Sequence, residues 1–367
     1  DCKVNLTVIP WDKYEETYTT ALNSGEGPDV GYMYNEMFPT YIDAGAVEDM
    51  SSYVTDEDKK EYKYLSNGNM MDGQYGWPLV TGVPFVLYYN EDILNALGEK
   101  APETWDDFAR ICQEATKDTD GDGKVDQYGF ACGMNTSDIG AMQILNAYYY
   151  SALWQNGGQV YNDDLKSVSF ADEAGKAAVT WLKGLTSYMN EDFMSLSWSD
   201  AFSNVFGAGK AAFGITRSSQ TDGTTFAETY PDLNWNFVTS LKNKDFGTFG
   251  ATDCLTLMSA CEDKDLAMDF IKYVTGSEFM TAYHAKCPGA ALTESEPYVG
   301  DEKMEKIYTE DKDKWHGIQA GPCGTQILNQ LAADFQGIMS GETSVDEGLK
   351  EAEDYANGLL DEYWANK

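Results

Sequence analysis

The sequence predicts an α/β fold in two domains, on three observations. Strand-like apolar runs alternate along the chain with stretches of helical periodicity, the pattern of a layered α/β architecture. At 367 residues the chain exceeds the length at which one hydrophobic core usually keeps growing. Its composition, 43% hydrophobic and 23% charged, is that of a chain that buries a core.

The elements follow in order. Val4-Asn5-Leu6-Thr7-Val8-Ile9 alternates with period two and reads as a first strand. A helix through Tyr14 to Asn23 follows. Pro28-Asp29 is a turn feeding the short apolar strand Val30-Gly31-Tyr32-Met33. Asn35 and Glu36 then stand at that strand's carboxyl edge, where α/β sheets place their ligands. Val83 to Tyr89 is almost continuously apolar and predicts a strand covered on both faces. Thr104 is a good N-cap for a helix opening Trp105-Asp106-Asp107-Phe108, with acids favoured in its first turn by the helix dipole. Ala174 to Leu185 is amphipathic, with Ala178, Leu182 and Leu185 on one face. Val205 to Ile215 reads as a helix end, a glycine turn and a strand, with Arg217 just past the strand's end. Leu266 to Val274, Gln326 to Met339 and Val345 to Leu360 carry helical periodicity.

The net charge of −36 repels phosphate backbones and anionic lipid headgroups, which argues against nucleic-acid and membrane-surface partners. No stretch approaches the ~18 apolar residues that span a bilayer. No basic and apolar leader opens the chain, so any export signal lies upstream. The seven cysteines include no CxxC pair and are read as buried free thiols. Cys112 and Cys132 flank one loop, and the sequence leaves their pairing open.

Two histidines leave little material for a Ser-His or metal-His site, and the chain has no GxSxG elbow, Walker A loop or GxGxxG fingerprint. No catalytic residue and no catalytic cofactor is assigned. Asp118-Thr119-Asp120-Gly121-Asp122-Gly123-Lys124-Val125-Asp126 matches the first nine positions of an EF-hand loop: Asp118, Asp120, Asp122 and Asp126 would supply carboxylates and Lys124 its carbonyl to a structural Ca2+. The twelfth position is Gly129, where that loop carries its bidentate glutamate; the alternative is a polar turn whose aspartates face water.

Five segments, taken in order, resemble one family. Ser24-Gly25-Glu26-Gly27-Pro28-Asp29-Val30 precedes Tyr41-Ile42-Asp43-Ala44-Gly45 and Gly76-Trp77-Pro78-Leu79. Val86-Leu87-Tyr88-Tyr89-Asn90 and Pro102-Glu103-Thr104-Trp105-Asp106-Asp107-Phe108 complete the series. The order is similar to that of the extracellular solute-binding proteins, family 1, of ABC importers, relatives of maltodextrin-binding protein. The resemblance implies a two-lobed periplasmic-binding-protein-like fold of type II, each lobe a mixed sheet flanked by helices. Lobe 1 would be residues 1–80 with 251–290, lobe 2 residues 83–246 with 318–367, and the hinges near 81–82, 247–250 and 290–322. It implies a binding protein and no enzyme: an oligosaccharide ligand held in the cleft, an ABC permease as partner, a monomer, and a place in the periplasm or at the cell surface as a lipoprotein anchored upstream. A strand and helix that usually precede the Val4 strand are missing, and a trimmed chain is expected.

Sugars present flat C–H faces and a rim of hydroxyls, so such a site needs aromatic planes with carboxylates and amides. By the resemblance, Tyr148, Tyr150, Trp154 and Asn156 form a platform on lobe 2, although three consecutive tyrosines cannot all face one cleft. Asn35 and Glu36 serve from lobe 1; Met33 and Met37 replace the tryptophan and arginine of the maltodextrin proteins. Trp11, Trp77, Arg217, Phe249, Gly250 and Trp315 complete the candidate set, with Trp198 and Asp200 behind them. A paired-carboxylate glycoside hydrolase and a binding protein for a cation such as a polyamine are the alternatives.

Overall fold

The computed structural model describes residues 3–25, 27–136, 142–222 and 224–367. Two larger sheets organise it. The first runs in the order Val30–Tyr34, Thr252–Leu257, Trp77–Thr81, with both pairings antiparallel. The second runs Tyr128–Ala131, Ala211–Arg217, Phe85–Asn90, Trp235–Val238, and its first pair is parallel. The strand Phe85–Asn90 explains its own apolar run. Phe85 and Leu87 enter one core, while Val86 and Tyr88 enter another on the opposite face.

The C-terminal helices Gly324–Ser340 and Val345–Ala365 bury Leu328, Leu331, Phe335, Leu349 and Leu360 in the same core as Phe85 and the helix Glu173–Gly184. The helix Lys264–Thr275 instead packs Met268 and Ile271 with Trp77 and Leu255 against the first sheet. Thr104 caps Trp105–Ala115 through a full capping box: its hydroxyl accepts from the Asp107 N–H, and Asp107 accepts from the Thr104 N–H at 3.1 Å.

Val4–Ile9 is not a strand. Val4, Leu6 and Val8 are 56%, 83% and 81% exposed, and no strand pairs with them among the described residues. A period-two pattern sets which face a strand would bury, but it does not supply the neighbour whose hydrogen bonds make it a strand. Cys112 and Cys132 are free thiols buried in the core; Cys2 lies outside the described residues.

The chain passes between the sheets at points that lie side by side. Gly82 donates its N–H to Ala251 at 3.3 Å, Ala290 donates to Thr81 at 3.3 Å, and Gly250 donates to His316 at 2.9 Å. Trp315–His316 runs parallel to Thr248–Phe249. Gly82 needs its missing side chain: its φ is +67°, and a Cβ would stand 2.7 Å from that of Ala290.

Candidate functional site

Register brings the polar groups together. Tyr34 ends its strand, and Asn35-Glu36-Met37 turns directly out of it. Asp253 lies beside Tyr34 near the start of the central, antiparallel strand of that sheet. On the second sheet Arg217 ends its strand opposite Phe85, which begins the neighbouring one. Strand ends are where side chains leave the ladder and meet a ligand.

The wall built on the first sheet is acidic. Glu36 is buried, and its carboxyl is pushed up to about 7, chiefly by desolvation and further by Asp253 and Glu15. Asp253 accepts a hydrogen bond from the Tyr32 hydroxyl; desolvation raises it to about 6 against the pull of Tyr32 and Arg217. The opposite wall is aromatic and cationic. The Arg217 guanidinium lies 5.5 Å from the Phe85 ring centroid and 5.3 Å from that of Trp198, and donates to Gln143 Oε1 at 2.8 Å. Burial lowers its pKa, while the Asp253 charge raises it. Tyr150 stacks on Trp154 at 5.4 Å and meets Phe249 at 5.7 Å; Trp154 in turn meets the His316 ring edge-on at 5.7 Å.

Three buried polar atoms in these walls have no hydrogen-bond partner among the described residues: Asn35 Oδ1, the Tyr150 hydroxyl and Trp198 Nε1. Buried polar groups are rarely left so, because each forfeits its bonds to water. A polar ligand between the walls would satisfy them.

The candidate residues divide. Asn35, Glu36, Tyr150, Trp154, Arg217 and Phe249 come together here. Trp11 stands outside them, 62% exposed, its ring 6.2 Å from that of Tyr32. Gly250 and Trp315 belong to the crossing: a Cβ on Gly250 would lie 2.6 Å from the Trp315 ring, and Trp315 Nε1 donates to the Ile307 carbonyl at 3.1 Å.

Three candidates are placed elsewhere. Trp77 is fully buried against Tyr62 in the core behind the first sheet. A tryptophan before a proline says nothing of which face its ring takes. Tyr148 packs edge-on to Phe130, and its hydroxyl accepts from the Gly133 N–H at 3.0 Å. Asn156 donates to the Ala174 carbonyl at 2.8 Å and accepts from Asn243 at 3.0 Å, bracing a turn. A π-helical turn, Leu145–Tyr149, precedes Tyr150, and the three tyrosines face three ways: Tyr148 to Phe130, Tyr149 to Phe335, Tyr150 to Trp154.

Tyr32 and Asp253 escaped the sequence reading. The signal was an acid inside the otherwise apolar segment Thr252–Leu257. A separate cavity of about 50 Å3, lined by Phe85, Phe108, Trp181 and Leu241, lies inside the core of the second sheet and is too small for a sugar ring.

Carboxylate oxygens of Asp118, Asp120 and Asp126 lie within 4.8 Å of one another on an exposed loop. Asp122 accepts from the Lys124 N–H at 2.8 Å, and the Lys124 side chain is exposed. Gly129 cannot complete the shell, since a Cβ there would stand 2.4 Å from the Cys112 carbonyl.

The family model described as bacterial extracellular solute-binding protein matches residues 1–297. A protein of Brucella abortus (strain 2308), named only as a binding protein, is 25% identical over 316 residues, 82% of this chain and 69% of its own. The sugar-binding protein of Xanthomonas citri superposes with a TM-score of 0.78 at 17% identity, covering 98% of this chain and 91% of that one. An ABC substrate-binding protein of Listeria monocytogenes in complex with cycloalternan gives 0.76 at 18% identity, covering 98% and 91%. The maltose/maltodextrin-binding domain of Bdellovibrio bacteriovorus bound to maltotriose gives 0.76 at 14% identity, covering 96% and 90%. These structures share the two-lobed fold with this chain.

Proposed function

Because the chain belongs to the bacterial extracellular solute-binding protein family, we propose that it captures an oligosaccharide between two lobes and presents it to the permease of an ABC importer. The observation that carries the reading is the pairing of walls: stacked rings and a guanidinium on one side, carboxylates on the other, with unpartnered polar atoms in both. Rings cover the flat faces of a pyranose, and carboxylates and amides replace the water around its hydroxyls. Sugars bound to the Listeria and Bdellovibrio proteins support the ligand class.

In this reading residues 1–80 with 251–290 form one lobe, and 83–246 with 318–367 the other. They close by bending at 81–82, 247–250 and 290–322, where few backbone bonds cross. The importer reads the closed form. The protein acts as a monomer outside the cytoplasmic membrane, periplasmic or held at the cell surface. A calcium ion at Asp118, Asp120 and Asp126 would hold their loop; a melting point raised by calcium and restored by chelator tests that part.

The test is a thermal-shift screen over an oligosaccharide panel, with products followed chromatographically. The reading requires at least one glycan to raise the melting point without being consumed. A panel that leaves the melting point unmoved, or a glycan that is hydrolysed, overturns it.

A further inference from the structure

Trp11 is held in place without being covered. Its ring is mostly exposed, yet it is seated against three tyrosines: Tyr14 at 5.2 Å, Tyr32 at 6.2 Å and Tyr34 at 6.2 Å. Those tyrosines are themselves braced. The Tyr14 hydroxyl donates to the Tyr32 carbonyl, and the Tyr32 N–H donates to the Tyr18 hydroxyl at 2.8 Å. The indole therefore stands on a fixed base and presents its remaining surface to solvent.

The same tyrosines join Trp11 to the acidic wall. Tyr32 meets the Trp11 ring edge-on, and its hydroxyl donates to Asp253. Tyr34, two residues on and so on the same face of the strand, meets the Trp11 ring as well, and the strand it ends turns directly into Asn35-Glu36. On either path one tyrosine separates Trp11 from the wall. An isolated surface tryptophan needs no explanation. One seated on rings whose far ends reach the candidate site extends that site. An aromatic plane suits the flat face of a pyranose, and a ring already fixed in place loses little freedom when a ligand settles on it.

We propose that Trp11 forms an outer subsite, on which a further sugar unit of the bound glycan rests where the chain leaves Asp253 and Tyr32. The ligand is then an oligosaccharide longer than the space between the two walls holds, and its outer units are recognised by their faces more than by their hydroxyl pattern. The proposal rests on the oligosaccharide reading above and adds the length of the ligand and the direction in which it extends.

The test uses the whole protein and a length series. Gluco-, manno- and xylo-oligosaccharides of two to seven units are titrated calorimetrically against the wild-type protein, Trp11→Ala and Trp11→Phe. The expected result is that, in at least one series, wild-type affinity rises at least fivefold from the shortest bound member to the longest. In Trp11→Ala that rise should fall below twofold while the shortest member binds as it does to the wild type, which shows at the same time that the variant is folded. Trp11→Phe, which keeps a ring, should retain part of the rise. Wild-type affinity that does not grow with length overturns this inference with no variant needed, and a rise that survives intact in Trp11→Ala overturns it too; both leave the oligosaccharide reading intact. A loss equal at every length places Trp11 among the inner contacts and overturns the outer subsite. A panel in which no member binds the wild-type protein overturns both.

Discussion

At the scale of single residues, burial sets the chemistry. Glu36 and Asp253 stand at about 7 and about 6, above the usual carboxylate value of ~4, because burial removes them from water. A carboxyl held high in the folded state carries no penalty below its unfolded pKa and the full penalty above its folded one. The ligand-free protein should therefore melt at higher temperature as pH is lowered from 8 to 5. Carboxyls held low act in a different window: Asp58, lowered by Lys272 and Thr55 against its own desolvation, costs stability only below about pH 4. Melting curves of Glu36→Gln across the same range should show a shallower slope; an unchanged slope would mean that Glu36 is not the group responsible. Trp154 is the second test at this scale. It is half-buried and stacks on Tyr150 without filling the deep core, so Trp154→Ala should weaken glycan binding at least tenfold, about 1.4 kcal/mol, with the fold retained. Calorimetry on the variant decides it. Tyr150 does not suit truncation to alanine, because with no exposed surface its loss would cost about 3–5 kcal/mol of fold as well as any binding.

At the scale of elements, the crossing is where geometry is tightest. A methyl on Gly250 would press within 2.6 Å of a Trp315 ring fixed by its own hydrogen bond, so the ring cannot yield freely. Gly250→Ala should cost about 1–3 kcal/mol in urea unfolding and weaken ligand binding with it. Gly358→Ala, in open space on the helix Val345–Ala365, should instead stabilise by about 0.5–1 kcal/mol. Equal effects at the two sites would mean that the crossing is not specially constrained.

Elements also mark what the sequence could and could not say. The capping box at Thr104, the doubly buried strand Phe85–Asn90 and the C-terminal helices were legible, because each is specified by its own residues. Val4–Ile9 was misread because a strand depends on a neighbour that local pattern does not name. Within the candidate site, the position of Asn35 and Glu36 at the end of a strand was legible. The position of Asp253 was not, because it comes from pairing with Tyr34 across more than two hundred residues of chain. Tyr148 and Tyr150 differ only by rotation about a π-helical turn, which apolar periodicity does not reveal.

At the scale of the whole molecule, the proposed function needs two lobes that move towards each other around a ligand. A charge of −36 spread over 367 residues keeps the surface repulsive towards nucleic acid and anionic lipid. The candidate groups sit at strand ends of the two sheets, Tyr34 and Asp253 on one and Arg217 and Phe85 on the other, and the proposed closure would act on both sets at once. Small-angle X-ray scattering with and without a saturating glycan identified by thermal shift tests this most directly. A smaller radius of gyration in the bound state at unchanged molecular mass is the expected result. Scattering curves that superimpose while the glycan is demonstrably bound would contradict it.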